Sequence, residues 1–174
     1  SVDINDKPSA FRYPRGNGIG TELPSINEKL EIGKGRVITE GKKIALLNFG
    51  TRLNECLIAQ KNLSKKGINI TIVDARFAKP LDESLIWQLA TDHEVLISIE
   101  EGSVGGFGSH VAQFLLDKNL FDNKLKFRSM ILPDKFIDHN KPEVMYKLAG
   151  LDAECIENKI FDCLNSKVII KKTN

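Results

Sequence analysis

The sequence predicts an α/β fold, a three-layer α/β/α arrangement around a mostly parallel sheet. Short apolar runs alternate with amphipathic helical segments in the order βα, βα, βα, β. The run at residues 95–99 is rich in β-branched residues, as expected of a central parallel strand covered on both faces. The 174 residues, 41% of them hydrophobic, are also enough to bury a core. Such alternation is typical of parallel sheets with right-handed crossovers.

The predicted elements begin near residue 35. A short strand at 36–39 and a turn are expected to form a hairpin with the first buried strand, 43–49. The next elements are a helix that carries Leu53, Leu57 and Leu63 and is stopped by Gly67, and a strand at 68–73. A second helix is opened by residues 79–82. Its inward residues are Leu81, Leu85, Ile86 and Leu89, and a later strand is predicted at 125–132. Two helices close the chain, one from Pro142 to Gly150, the other capped by Asp152 with Ile156, Ile160 and Leu164 inward, before an end that is predicted to fray from Val168.

The stretch from Val95 to Leu116 is predicted to form a strand, a glycine loop and a helix, and it is the element around which the rest of the chain is organised. Glu100 and Glu101 are expected to end the burial of the strand, and Ser109 to cap the helix. The glycines at 102, 105, 106 and 108 are predicted to serve a tight turn and close packing against another domain or subunit. A phosphate site is the alternative, but no phosphate-binding glycine motif is present and two glutamates would repel the anion.

Composition and charge argue against several classes of protein. The 25 basic and 23 acidic residues are interspersed, so no basic stripe indicates nucleic-acid binding. Three cysteines without metal-ligand spacing are typical of thiols in a reducing compartment. Because no apolar run approaches the roughly 20 residues that span a bilayer, and the amino terminus is polar, we predict no membrane contact and a cytoplasmic location.

The residues provide few candidates for chemistry. The histidines at 93, 110 and 139 form no metal pattern. His110 is the best acid–base candidate because it lies near Glu100 and Glu101, although a structural role is preferred. Cys56 lies on a helix face, where thiolate formation is not expected. Asp134, Asp138 and His139 are interpreted as a solvated loop. The residues alone predict an α/β domain and no reaction.

Several motifs nevertheless occur in order over about 150 residues, which makes coincidence improbable. They are Pro-Ser-Ala-Phe-Arg-Tyr-Pro-Arg-Gly-Asn at 8–17, Gly-Lys-Gly at 33–35, Leu-Asn-Phe-Gly-Thr at 47–51, Asp-Ala-Arg-Phe-Ala-Lys-Pro-Leu-Asp at 74–82, the run 100–111, Leu-Pro-Asp at 132–134 and Gly-Leu-Asp-Ala at 150–153. Together they resemble the carboxyl-terminal portion of the 1-deoxy-D-xylulose-5-phosphate synthase family in the transketolase superfamily.

The resemblance implies that residues 1–20 are the tail of a pyrimidine-binding domain, 21–34 a linker and 35–174 a transketolase carboxyl-terminal domain. It implies a homodimeric enzyme that condenses pyruvate with glyceraldehyde 3-phosphate, releases carbon dioxide, and uses thiamine diphosphate and Mg²⁺. The cofactor motifs of the family lie in domains outside this sequence. This piece is therefore expected to be inactive alone, with no cofactor, metal or catalytic group of its own.

One substrate-binding residue carries over from the family. The second arginine of the motif Arg-Tyr-Pro-Arg-Gly is Arg15, and the resemblance implies that it grips the phosphate of glyceraldehyde 3-phosphate. A guanidinium on a glycine-rich turn suits bidentate binding of phosphate, although most surface arginines have no such role. The alternatives to an inactive piece are a free-standing domain that binds a small anion at the glycine loop, and an assembly domain of the same fold.

Overall fold

The computed structural model describes residues 1–13, 20 and 29–165. The chain divides into two compact units, Ser1–Leu30 and Glu31–Asn174. The described residues of the first unit form turns and extended chain without a helix or strand. In that unit Ile4 N donates to Ser1 O at 3.0 Å, and Lys29 Nζ lies 2.8 Å from Asp3 Oδ2. The expected division at residues 20 and 34 stays a prediction.

The second unit is a three-layer α/β/α domain, which confirms the predicted fold class. Its strands are β1 Arg36–Thr39, β2 Ile44–Phe49, β3 Thr71–Asp74, β4 Val95–Glu100 and β5 Lys126–Met130. Its helices are α1 Leu53–Ser64, α2 Glu83–Asp92, α3 Phe107–Asp117, α4 Pro142–Leu148 and α5 Ala153–Asn165, with a 3₁₀ turn at Leu120–Asn123. The sheet order is β1-β3-β2-β4-β5, and every pairing is parallel except that of β1 with β3. Over the described ranges, no helix is long and apolar enough to cross a membrane.

Each face of the sheet carries its own hydrophobic core because side chains alternate along a strand. Ile44 and Leu46 of β2 pack on one face with residues of α1 and α5. Ala45 and Leu47 pack on the other face with residues of α2 and α3. Since both faces are covered, β4 is buried along its whole length, and its apolar run is explained.

The expected hairpin between the first two strands is wrong. β1 pairs antiparallel with β3, with Arg36 opposite Asp74 and Val37 opposite Val73. The intervening turn crosses the start of β3, where a Cβ on Gly41 would lie 2.5 Å from Ile70 C, and Gly41 N donates to Thr71 Oγ1 at 2.9 Å. Only a glycine permits this approach, so the chain passes over β3 to reach β2.

The last two helices, α4 and α5, largely agree with the sequence prediction. Asp152 caps α5 by accepting a hydrogen bond from Cys155 N at 2.9 Å. Ile156 is fully buried, as is Ile160, as predicted. Leu164, however, is 37% exposed, and the buried position at this end of the helix belongs to Cys163. The periodicity located the buried face but misplaced its last member by one residue.

Asp82 connects α2 to the chain that precedes β1. Its Oδ1 accepts from Leu85 N at 3.1 Å as the N-cap of α2, and its Oδ2 accepts from Gly35 N at 3.0 Å. Burial acts to raise the pKa of Asp82, but hydrogen bonds from Ser84, Leu85 and Gly35 outweigh it and lower the pKa below its ordinary value. One carboxylate thus fixes both the start of a helix and the entry into the sheet.

The strand order creates a switch point between β2 and β4. From β2 the chain crosses through α1 to β3 on one side, whereas from β4 it crosses through α3 to β5 on the other side. The two connecting helices lie on opposite faces of the sheet. In open α/β sheets the crevice at the carboxyl ends of two such strands is the usual place for a ligand.

We predict that Asp82→Ala lowers the free energy of unfolding at pH 7 by about 1 to 2 kcal/mol, because a cap and a second amide lose their acceptor. The measurement is urea denaturation of the 174-residue chain. Because folding lowers the pKa of Asp82, its stabilising contribution is present above the ordinary value of 3.8 and is lost as the pH falls through the folded value. The difference between the two proteins should therefore shrink in acid.

Glu83→Ala is the matched control, since Glu83 is exposed on the first turn of the same helix. Its effect should stay within about 0.5 kcal/mol. Equal losses for the two substitutions, or a difference that does not change in acid, would contradict the role assigned to Asp82.

Candidate functional site at the carboxyl edge of the sheet

Glu100 ends β4 at the switch point, and its carboxylate is buried. The residue is 3% exposed, so the expectation that burial ends before it is wrong. Its Oε2 accepts from Phe107 N at 3.1 Å and its Oε1 accepts from Gly108 N at 2.8 Å. These are the first amides of α3, where an anion is favoured by free N–H groups and by the helix dipole. Glu100 is therefore the cap of α3.

Ser109, the predicted cap, lies inside α3 instead. Its hydroxyl accepts from Gly105 N at 2.9 Å and so closes the glycine loop, which we define as residues 101–106. The sequence signal failed because the capping group comes from seven residues before the helix. The amides are bound by the side chain of Glu100, the last residue of the preceding strand β4.

The glycines of this region make room for the Glu100 carboxylate. A Cβ on Gly102 would lie 2.2 Å from Glu100 Oε2, and one on Gly106 would lie 2.7 Å from the same atom. If the carboxylate moved away from such a Cβ, it would lose its hydrogen bonds to two buried amides. Gly105 has φ +91°, a conformation that favours glycine. The tight turn and close approach were predicted, but the approached group belongs to this chain.

Glu101 closes the crevice between β2 and β4. Its Oε1 accepts from Arg52 Nε at 2.8 Å and from the Thr51 hydroxyl, both of which directly follow β2. The side chains of Arg52 and Glu101 are only 13% and 23% exposed. The Arg52 guanidinium carbon lies 3.6 Å from the centroid of the Tyr146 ring. We call these four residues, Thr51, Arg52, Glu101 and Tyr146, the Arg52 cluster.

The Arg52 cluster also holds α4 in place. α4 has no buried residue, but its Tyr146 ring packs on Arg52, next to the Glu101 carboxylate that Arg52 binds. Burial, followed by the negative charge of Glu101, raises the pKa of the Tyr146 hydroxyl. A partly desolvated cation on an aromatic face contributes about 2 kcal/mol. Side chains of this chain therefore bridge the ends of β2 and β4, where such sheets usually hold a ligand.

Arg76 is a feature of the same edge that the sequence did not reveal. It follows β3 and has φ 57°, in the left-handed region that residues other than glycine seldom adopt. Asp74 stabilises the turn, since its Oδ1 accepts from Arg76 N at 3.3 Å and its Oδ2 accepts from Arg36 Nε at 3.1 Å. Such outliers cluster at functional sites. The motif at 74–82 includes this arginine but carries no local signal of its backbone conformation.

The histidine candidate does not form an acid–base pair in the described structure. His110 is exposed on α3, and both glutamate carboxylates bond to other groups. His93 has a structural role, because its Nε2 lies 2.8 Å from Thr71 Oγ1 and its Nδ1 lies 3.0 Å from Leu89 O. His139 is exposed on the loop that follows β5, together with Asp134 and Asp138.

The cysteines have the character expected of structural thiols. Burial raises the pKa of Cys56 to about 12 and that of Cys155 to about 11, so neither is a thiolate near neutral pH. Within the described ranges, no group of three His, Cys, Asp or Glu side chains could hold a metal ion. Arg15 lies outside the described residues.

Comparison with known proteins identifies the family of the chain. The sequence profile described as "Transketolase, C-terminal domain" matches residues 33–156. The chain belongs to this family. Members are thiamine-dependent enzymes of transferase type, and the family generally uses thiamine diphosphate with a divalent metal. The family confirms the transketolase part of the resemblance, whereas the synthase itself remains a proposal.

The solved structures that are similar to the chain include two transketolases. One is described as a split gene transketolase, inactive beta4 tetramer, with a TM-score of 0.72 and 27% identity, covering 83% of this chain and 46% of that one. The other is a transketolase from Campylobacter jejuni subsp. jejuni, with a TM-score of 0.56 and 16% identity, covering 75% and 18%. The second likeness shows the fold alone. The chain spans less than half the length of either relative.

We predict that Glu100→Ala and Gly102→Ala each lower the free energy of unfolding by about 2 to 3 kcal/mol, measured by urea denaturation. The first leaves two buried amides without an acceptor, and the second displaces the carboxylate. The cost of Gly102→Ala should fall by about 1 to 2 kcal/mol in the Glu100→Ala background, because the three heavy atoms nearest to the new Cβ, outside the neighbouring residues 101 and 103, belong to Glu100.

Glu94→Ala is the control, since that carboxylate is 66% exposed beside Lys43 and should contribute at most about 0.5 kcal/mol. Strict additivity of the two substitutions would show that Gly102 does not act through Glu100.

Proposed function

We propose that this chain is the carboxyl-terminal part of a 1-deoxy-D-xylulose-5-phosphate synthase. The ordered motifs from residue 8 to residue 153 carry the proposal, and the family matched by residues 33–156 supports it. The complete enzyme condenses pyruvate with glyceraldehyde 3-phosphate and releases carbon dioxide. We propose that it is cytoplasmic and homodimeric, and that it binds thiamine diphosphate and Mg²⁺ in domains outside this sequence.

In this proposal the second unit serves as a scaffold. Its most favourable anion position, the start of α3, is taken by the Glu100 carboxylate. Its crevice at the switch point is closed by the Arg52 cluster. Among the described residues, no group of three His, Cys, Asp or Glu side chains could hold the metal ion of the cofactor. These observations support a domain that positions its neighbours.

We propose Arg15 as the phosphate-binding residue. We also propose the division into a pyrimidine-binding tail at 1–20, a linker at 21–34 and a carboxyl-terminal domain at 35–174. Support comes from the match of the motif Arg-Tyr-Pro-Arg-Gly and from the chemistry of guanidinium groups, whose paired donors match two phosphate oxygens. Arg12, in the same motif, is exposed in the first unit.

An assembly domain is the second candidate function. It is favoured by apolar side chains that the second unit exposes, above all Val104 and Phe136. The structural relative described as an inactive beta4 tetramer supports a role in oligomer formation. The third interpretation, a small anion held by the glycine loop, has less support because Glu100 occupies the amides.

We predict that isothermal titration calorimetry of this chain with thiamine diphosphate and Mg²⁺ shows no saturable heat of binding. The physical reason is that no cluster of ligands for the metal is present among the described residues. The complete enzyme is the positive control. Saturable binding in the micromolar range, or decarboxylation of pyruvate by this chain alone, would overturn the scaffold proposal.

We also predict that Arg15→Ala in the complete enzyme raises the KM for glyceraldehyde 3-phosphate by about tenfold or more, with less than about a twofold change for pyruvate. Arg15→Lys should give an intermediate value, since it keeps the charge and loses the paired donors. Lys7→Ala, an exposed cation of the same unit, is the control. Equal effects on both substrates would remove Arg15 from the phosphate site.

A further inference from the structure

One side of β5 is an open edge of the sheet. β5 pairs with β4 on its other side, and no described strand lies beyond it. Lys126 N donates to Glu94 O at 3.0 Å, so in the parallel ladder the amides of residues 126, 128 and 130 point inward to β4. The backbone groups of Ser129 and Ile131 therefore point outward. Neither of these two amides donates to an acceptor among the described residues.

A groove of about 360 Å³ lies beside this edge, between β5 and α5. Its sheet wall is Ser129–Ile131, and its helix wall includes Asn158, Lys159 and Asp162. An extended peptide can add to such an edge as a further strand, because its backbone continues the ladder and its alternate side chains enter the groove. Many edge strands are instead kept free of partners by exposed cations. The side chains on the two faces of this edge therefore have to indicate a partner.

The α5 face of the edge is mostly cationic. Lys126 Nζ donates to Cys163 O of α5 at 2.7 Å, and Arg128, two residues further along β5, lies on the same face. Burial raises the pKa of the Cys163 thiol, whereas the nearby charges of Arg128, Lys159 and Lys126 act to lower it. Three cations thus surround one point, with Asp162 as the acid beside them. Among the described residues, neither Arg128 nor Lys159 forms an ion pair.

The opposite face of the same edge carries an apolar group. Phe127 is partly buried there and packs against Phe121, with 6.4 Å between the ring centroids. Side chains alternate along a strand, and cross-strand neighbours stabilise a sheet when their chemistry matches. A strand added to β5 would therefore place acidic side chains beside Arg128 and Lys159, and apolar side chains beside Phe127.

Charge argues against two other occupants of the edge. Residues 166–174 of this chain, outside the described residues, contain three lysines and no acid, so the cations of the groove would repel them. A second copy that paired through its own β5 would bring the same cations, Lys126 and Arg128, to the contact. Like charges opposite each other across two strands are destabilising. An acidic segment has the complementary charge.

We propose that the groove between β5 and α5 binds an extended acidic peptide segment of a partner protein, which adds to β5 as a sixth strand of the sheet. The backbone groups of Ser129 and Ile131 form the new ladder, and Arg128 and Lys159 select acidic side chains. This inference goes beyond the proposed function, because it requires neither the synthase reaction nor a second copy of the chain.

The first test is a titration of a fluorescein-labelled peptide, Glu-Val-Glu-Val-Glu-Val, with the 174-residue chain, followed by fluorescence anisotropy. The peptide should bind saturably, and Lys-Val-Lys-Val-Lys-Val should bind at least about tenfold more weakly. Glu-Pro-Glu-Pro-Glu-Pro has the same charge but lacks half of the backbone donors, so it should also bind at least about tenfold more weakly. Absence of saturation at about 1 mM, or equal binding of the three peptides, would overturn the inference.

Variants of the chain locate the site. Arg128→Glu and Lys159→Glu should each raise the dissociation constant of the Glu-Val peptide by about fivefold or more. Ser129→Pro should do the same because it removes an outward N–H group, whereas Ser129→Ala keeps that group and should change the constant by less than about twofold. Lys42→Glu is the charge control, since Lys42 is exposed in the turn between β1 and β2. Circular dichroism checks the fold, and an effect of Lys42→Glu equal to those at 128 and 159 would contradict a site beside β5.

Hydrogen exchange measured by NMR distinguishes a free edge from an occupied one. In the peptide-free chain the amide of Ser129 should exchange at least about tenfold faster than that of Arg128, and the Glu-Val peptide should remove most of this difference. A Ser129 amide that is already protected without the peptide would show that residues 166–174 or a second copy cover the edge, and the inference would fall. None of these outcomes depends on the KM measurement for Arg15, so the two proposals can fail separately.

Discussion

The hydrogen bonds from the first amides of α3 to the buried Glu100 carboxylate are the constraint on which this domain depends. They fix the distance between β4 and α3, and they require residues without a side chain at Gly102 and Gly106. A buried carboxylate without such donors would cost several kcal/mol, whereas two charge-assisted hydrogen bonds and a helix dipole stabilise it. The glycine loop takes its shape from this one side chain, and through Gly102 O it also positions the loop that follows β5.

At the same edge, side chains of the chain itself lie where many α/β sheets bind a ligand. Crossing helices on opposite faces leave a crevice at the ends of β2 and β4, and in many α/β sheets a ligand lies there. Here an arginine, a glutamate, a threonine and a tyrosine of the chain itself occupy it and hold α4. This arrangement is consistent with a transketolase carboxyl-terminal domain that spans less than half of its structural relatives.

The sequence predicted most elements because their signals are local. Alternating apolar runs and amphipathic stripes placed β2, β4 and the helices α1 to α5 within a few residues, and Asp152 was predicted as the cap of α5. Predictions failed where the partner is distant in sequence. β1 pairs with β3 through a turn whose Gly41 lies against the backbone at Ile70, and α3 is capped by Glu100 and not by Ser109. Neither contact produces a pattern in the neighbouring residues from which it could be predicted.

By itself the sequence determined the α/β class, the order of strands and helices, the exclusion of a metal pattern and the resemblance that led to the family. These follow from periodicity, composition and motif order, which are properties of neighbouring residues. Only the tertiary structure decided that Glu100 is buried, that Glu101 binds Arg52, that Arg76 adopts a left-handed backbone and that Phe136 is exposed. Each depends on which strand ends meet at one edge of the sheet, and long-range pairing, which no local pattern encodes, decides that geometry.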